Sequence, residues 1–369
     1  MFSSSLGVGL IFGFQPPLIA FTLNRSGSSS FAVGAVTAAS LIAVILLGPL
    51  YPRVIARLGL KRSIVDGVCI AAVILLLMPV WPDVPVWLFL RFLSGCALGL
   101  TWIASEIWMN QVSGDESRGT IMGIYGTVFS IGIIGGPILL EFTGTRGWHP
   151  FAIGAACLVL ALLPLAVLRT VQSAPQASAP LGGLMSAVRA APVVMLAAVV
   201  AGLVESADLA LLPLFGLHAG IGEQASLLLV TVFMAGNVVL QMPIGLLADR
   251  FGRKFLLGVC ALLSGIGPLL LPSCIDRPAL LEPLLFVWGG TLYAFYSQGI
   301  ALLGEEFRSA DLPRANTAFV MVYCLGGVIG PSLGGYAMDA WPSSGLPVLL
   351  SSAALLMLVG LGFAARRPR

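Results

Sequence analysis

The sequence predicts an all-α integral membrane protein, with twelve transmembrane helices in two pseudo-symmetric six-helix bundles. Three observations predict it. Hydrophobic residues make up 58% of the 369-residue chain and charged residues only 9%, where a water-soluble domain carries roughly 25% charged residues. The apolar residues gather into twelve runs, each long enough for the about 20 residues of helix that cross a bilayer. Two motifs also recur at nearly the same offset, as a duplicated unit requires.

The runs cover 3–23, 30–52, 63–81, 85–109, 118–142, 149–169, 190–215, 224–247, 254–273, 280–304, 314–338 and 345–365. No basic residue precedes Arg25, and a cleaved signal peptide needs a basic leading region, so the first run is read as a span. The one sizeable polar gap, rich in Ser, Ala, Pro and Gln, follows the sixth run. It reads as a linker over 170–188, between an N-terminal bundle over 1–169 and a C-terminal bundle over 189–369. With the N-terminus inside, inner loops hold 15 of the 19 basic residues and outer loops hold Arg25, Arg146 and Arg277. Lys and Arg concentrate on the cytoplasmic side of membrane proteins, so both termini are expected in the cytoplasm of a plasma-membrane protein.

The halves align with each other. Arg57-Leu58-Gly59-Leu60-Lys61 matches Arg250-Phe251-Gly252-Arg253-Lys254 at an offset of 193, and Gly132-x-x-x-Gly136-Pro137 matches Gly326-x-x-x-Gly330-Pro331 at 194. Glycines four residues apart let helices approach closely, and proline removes a backbone hydrogen bond and bends a helix. These motifs, with Gly334, are expected either as paired bends at the interface between the halves or as plain packing sites.

The charged stretch around Gly245, Asp249, Arg250, Gly252, Arg253 and Lys254 separates two long apolar runs, so it must lie at a membrane surface. Gly245 and Gly252 are expected where the backbone turns sharply or a neighbouring helix approaches. Asp249 can pair with Arg250 or Arg253, or sit at the positive N-terminal end of another helix. Glu305 and Glu306, beside Arg308, read as solvated charges.

Glu205 and Asp208 stand three residues apart in the middle of the seventh run, which contains no basic residue. That spacing puts both on one helix face. Two carboxylates close together in a poorly hydrated site cannot both ionise easily, which suits a group that takes up and releases a proton. The alternative is a wet outer vestibule in which both are solvated. Arg91 lies about four residues into the fourth run; it either snorkels to the outer interface or turns inward to a partner, because charge in lipid is costly. Glu106, one turn from the inner end of the same run, is a second coupling candidate or an interfacial charge. Gln15 beside Pro16-Pro17, together with Asn237 and Gln241, can line a substrate cavity or merely hydrogen-bond between helices.

Several classes are excluded. There is no G-x-x-x-x-G-K-[ST] phosphate loop, no H-E-x-x-H and no G-x-S-x-G. No ATP site, metal site or cofactor is expected, and the chain is not read as an enzyme. The six cysteines stand singly within apolar runs, without ligand or redox spacing. A formal charge of +3 is too small to point to nucleic acid.

The Gly245 to Lys254 run resembles the loop signature of the major facilitator superfamily and falls between the eighth and ninth runs, as in that family. Leu88-Phe89-Leu90-Arg91-Phe92-Leu93-Ser94-Gly95-Cys96-Ala97-Leu98-Gly99 is similar to its fourth-helix motif. Gly326 to Gly335 resembles the helix-five motif of its antiporters, although the complete copy here is in helix eleven and the helix-five copy ends at Leu139-Leu140. Glu106-Ile107-Trp108-Met109-Asn110 and Leu292-Tyr293-Ala294-Phe295 are similar to its YcaD-like bacterial members. The resemblance spans the whole chain. It implies a monomeric secondary transporter that works by alternating access on a small-molecule substrate. Proton-coupled export is the expected activity, with nutrient uptake by symport or uniport as the rival. A membrane enzyme or non-transporting sensor on the same scaffold is the reading from another class. The resemblance also implies a proton- or substrate-handling role for Arg91, and a cytoplasmic latch through the loop acid. The first-half loop has Pro52 and Ala56 where the family expects Gly and Asp, so only Asp249 keeps that acid.

Overall fold

A backbone in lipid must satisfy its own hydrogen bonds, which leaves the helix as the available element for an open chain. The computed structural model describes residues 2–112, 118–167, 182–307 and 311–366. It is helical almost throughout, and among the described residues eleven helices are long and apolar enough to cross a membrane.

The helices are α1 (Phe2–Arg25), α2 (Ser30–Leu47), α3 (Tyr51–Leu58), α4 (Leu60–Leu77), α5 (Val84–Val112), α6 (Arg118–Thr143), α7 (His149–Leu160), α8 (Leu163–Val167), α9 (Gly182–Ala190), α10 (Pro192–His218), α11 (Glu223–Phe251), α12 (Arg253–Cys274), α13 (Pro278–Glu306), α14 (Leu312–Ala340) and α15 (Gly345–Arg366). The sixth apolar run differs from expectation. It breaks into α7 and α8 at a turn over Ala161 and Leu162, just before Pro164, where proline cannot supply the helical N–H. Most of the expected linker lies outside the described residues, and its last part, 182–188, begins α9. Leu46, Phe89, Phe255 and Phe363 are each more than 60% exposed, side chains that lipid solvates and water does not.

The chain forms two compact units. The first is Met1–Ser28 with Ala39–Ser178, and the second is Ser29–Ala38 with Ala179–Arg369. In the first, α1 packs on α6 and α4 on α5; in the second, α10 packs on α14, α11 on α13 and α12 on α15. The first turns of α2 are thus counted with the second unit. There the backbone N–H groups of Ser30 and Phe31 donate to Asp339 Oδ1 at 2.8 Å and Oδ2 at 2.9 Å. A carboxylate that takes two free N–H groups of a first turn is a charge-assisted cap. Gly34 lies against the Pro331 carbonyl, and Gly335 against Ser30, leaving no room for a side chain at either glycine.

The duplication seen in the motifs extends to backbone contacts. Gly9 meets the Phe129 carbonyl in the first unit, and Gly202 meets the Tyr323 carbonyl in the second. Gly132 on Leu6 answers to Gly326 on Val199, Gly136 on Leu10 to Gly330 on Leu203, and Gly95 on Ser40 to Gly289 on Phe233. Every partner in these four pairs is offset by 193 or 194 residues. The glycine–proline motifs therefore hold α6 to α1 and α14 to α10. These contacts lie within a unit and fit the plain packing reading of the motifs. Gly334 packs instead on the side chains of Leu211 and Leu346, and α6 and α14 run unbroken through Pro137 and Pro331.

These contacts predict graded effects in thermal unfolding of the purified protein. Gly132→Val and Gly326→Val should each lower the midpoint by more than about 5 °C or abolish the monodisperse species. Gly245→Ala, where a Cβ meets nothing within 4 Å, should unfold like the unsubstituted chain.

Candidate functional site

The Gly59 and Gly252 junctions of the two units reach the same geometry through different chemistry. In the second, α11 runs through most of the signature and stops at Gly252, whose φ of 93° no β-carbon residue adopts cheaply; α12 starts at Arg253. The expected loop is therefore a one-residue break. Its counterpart Gly59 has φ 83° between α3 and α4. Gly245 fits neither reason offered for it, since it has an ordinary helical φ and no neighbour within 4 Å. Asp249 takes the local choice, accepting from Arg253 Nη2 at 3.0 Å, and Arg250 lies over the Phe251 ring, 5.4 Å from its centroid. Arg253 Nε also reaches Glu305 at 2.8 Å and Lys254 reaches Glu306 at 3.6 Å. The two glutamates at the end of α13 thus have ionic partners on α12 rather than being only solvated. In the first unit Leu60 stands where the second has Arg253. It is fully buried in an apolar cluster with Tyr51, Ile55, Ile64 and Trp108. Ions hold one junction and apolar packing holds the other.

Arg91 of α5 does not snorkel. It is 5% exposed, and its Nη1 donates to Gln15 Oε1 of α1 while Nη2 donates to Ser40 Oγ of α2 at 2.9 Å. One guanidinium so joins three helices, a geometry suited to its rigid fork of donors. Among the described residues it has no acidic partner, and Arg91 Nε and Gln15 Nε2 are buried without hydrogen bonds. Gln15, expected in a substrate cavity, is 2% exposed and directed at Arg91.

Of the two acids of α10, Asp208 is buried and Glu205 partly so. Glu205 Oε2 accepts from the Tyr323 hydroxyl of α14 at 2.9 Å, so a neighbouring helix holds this side chain. Tyr323 lies edge-on to Tyr296 of α13, with centroids 5.1 Å apart; Tyr296 in turn lies against Phe319 and Tyr293. Asp208 is 0% exposed, and neither carboxylate oxygen has a hydrogen-bond partner among the described residues. An uncompensated buried charge is among the most costly features a fold can carry. Asn237 of α11 is buried, whereas Gln241 one turn on is exposed.

Glu106 of α5 is partly buried, and its Oε1 accepts from Trp102 Nε1 at 3.0 Å. Trp102 belongs to a ring cluster that the motifs did not announce. Its centroid lies 6.2 Å from that of Phe12 on α1 and 6.3 Å from that of Phe129 on α6, while Phe12 and Phe129 are 5.8 Å apart. The repeat offset, applied to Glu205, would have pointed to these positions.

Two substitutions test the site. Arg91→Leu should abolish transport, where a snorkelling side chain would tolerate it, and Arg91→Lys should retain only part, because an ammonium cannot reproduce the two-armed contact. Asp249→Asn removes an exposed ion pair of about 1 kcal/mol or less. It should leave the unfolding midpoint in place but slow substrate turnover in vesicles.

Comparison with known proteins agrees with this architecture. The family model described as Major Facilitator Superfamily matches residues 1–230 and 194–369. The uncharacterized MFS-type transporter YfkF of Bacillus subtilis (strain 168) is 26% identical over 363 residues, covering 94% of this chain and 91% of its own. The uncharacterized MFS-type transporter YcaD of Escherichia coli O17:K52:H18 is 25% identical over 353 residues, covering 93% and 89%. A crystal structure of a mutant form of the nucleoside transporter NupG superposes with a TM-score of 0.81 at 16% identity, covering 99% of this chain and 98% of that one. The chain belongs to the major facilitator superfamily, and its curated relatives include the YcaD-like bacterial transporters.

Proposed function

We propose that this multi-pass membrane protein is a proton-coupled secondary transporter that exports a small, amphipathic molecule by alternating access, with Glu205 and Asp208 carrying the proton. The observation that carries the reading is Asp208, fully buried and without a partner among the described residues, one helical turn from a second acid that a tyrosine holds. Negative charge at such a place is costly, so the occupancy of the pair by protons is sensitive to whatever water or substrate reaches it. That sensitivity is what couples a proton to a cycle. Glu106 is a secondary candidate, and the buried fork of Arg91 fits a positioning role in the other unit. A proton gradient supplies the driving force. The bias of basic residues between loops supports cytoplasmic termini and a plasma-membrane location.

Export is favoured by the complete glycine–proline motif of α14, which resembles a motif of the family's antiporters. Uptake is the second reading, and the fold shared with a nucleoside transporter is compatible with it.

The test is substrate-triggered proton flux in reconstituted vesicles, screened across drugs, sugars and amino acids. For vesicles loaded with an active compound, efflux that acidifies the lumen is the expected result; efflux that alkalinises it would establish symport. Glu205→Gln and Asp208→Asn should each flatten the pH dependence of transport. If both variants keep the pH profile of the unsubstituted protein, the coupling role is overturned.

A further inference from the structure

The repeat assigns partners to positions that share no sequence similarity. With offsets of 193 and 194, Phe12 of α1 corresponds to Glu205 of α10, Trp102 of α5 to Tyr296 of α13, and Phe129 of α6 to Tyr323 of α14. The correspondence rests on packing as well as counting, because Gly9 on Phe129 and Gly202 on Tyr323 are the same backbone contact in the two units. In each unit the three positions meet. In the second they carry a carboxyl, a hydroxyl bonded to it at 2.9 Å, and a second tyrosine edge-on at 5.1 Å. In the first they carry three aromatic rings and no hydroxyl.

From this substitution at matched positions we infer that the first unit holds a binding subsite for a planar aromatic or heteroaromatic ring, formed by Phe12, Trp102 and Phe129. The inference deepens the proposed function by naming the class of cargo, and it rests on that reading. All three rings are partly exposed rather than sealed in the core, unlike Phe14 and Phe21 of the same α1, which are 0% exposed. Trp102 and Phe129 lie within 14° of parallel, with Phe12 edge-on to the indole at 73°. The three rings hold one another in the stacked and edge-on arrangements that aromatic groups prefer, and their partly exposed surfaces offer a further ring the same contacts. The hydrogen bond from Trp102 Nε1 to Glu106 Oε1 fixes the indole plane, so the ring is oriented before a ligand arrives and little rotamer freedom remains to be lost on binding. The same bond sets a carboxyl at the edge of the rings. The positions that handle the proton in one unit thereby recognise cargo in the other.

The test measures binding by equilibrium dialysis of the full-length protein in detergent, with no gradient. The probes are ethidium and uridine as planar rings and maltose as a non-aromatic control. The unsubstituted protein should bind at least one ring probe and leave maltose unbound. Trp102→Ala should weaken that binding at least tenfold, while Trp102→Phe keeps it within about threefold, as expected for ring stacking. Phe12→Leu keeps apolar volume against the neighbouring helices and removes only the ring, so it should also weaken binding if Trp102→Ala fails to fold. A protein that binds neither ring probe overturns the inference, as do variants that bind like the unsubstituted chain. Failure of proton coupling shows instead in the vesicle flux of Glu205→Gln and leaves dialysis unchanged, so the two readings fall separately.

Discussion

Both units depend on backbone lying directly against backbone. In lipid there is no hydrophobic gain in bringing two apolar helices together, so close van der Waals packing has to hold them. Glycine allows it: Gly9, Gly132 and Gly136 bring α1 and α6 into contact, and Gly202, Gly326 and Gly330 do the same for α10 and α14. A carbonyl seated on a glycine sets the axial register of one helix against the other to within a residue. Once register is set, side chains at matched positions have no choice about whom they meet. Phe12 reaches Phe129, and Glu205 reaches Tyr323, for the same geometric reason.

On this shared scaffold the two units have diverged in charge. The first buries a base, Arg91, against the neutral Gln15 and Ser40; the matching positions in the second are Leu285, Asp208 and Phe233. Gln15 accepts from a guanidinium, whereas its counterpart Asp208 has leucine, Leu285, at the position that matches Arg91, and no hydrogen-bond partner among the described residues. At the Gly59 and Gly252 junctions the asymmetry is reversed in kind, with buried Leu60 in the first unit and the ions of Asp249, Arg253 and Glu305 in the second.

Much of this was legible in the sequence. Hydropathy alone located the long spans, and two motifs sufficed to reveal the duplication. The facing helix of each glycine was not legible, because a motif on one helix carries no information about which neighbour it approaches. The break in the sixth span was signalled by Pro164 but masked by an uninterrupted apolar run. Arg91 left two readings open, since burial of a charge depends on acceptors 51 and 76 residues away. Phe12, Trp102 and Phe129 escaped notice because single aromatics in an apolar run are ordinary; only the offset applied outward from Glu205 distinguishes them.

The first turns of α2 show that the unit copied in the duplication and the compact unit do not coincide. Asp339 accepts from the first turn of α2, and the ten residues Ser29–Ala38 are counted with the second unit, although in the chain they lie in the first half. A gene cut at the polar gap would therefore yield a C-terminal fragment with an orphaned Asp339 carboxylate and a bare Gly335 on α14. Its missing piece would lie on the other polypeptide. Split versions of this protein would have to carry α2 across the cut, or be made together so that one fragment completes the other.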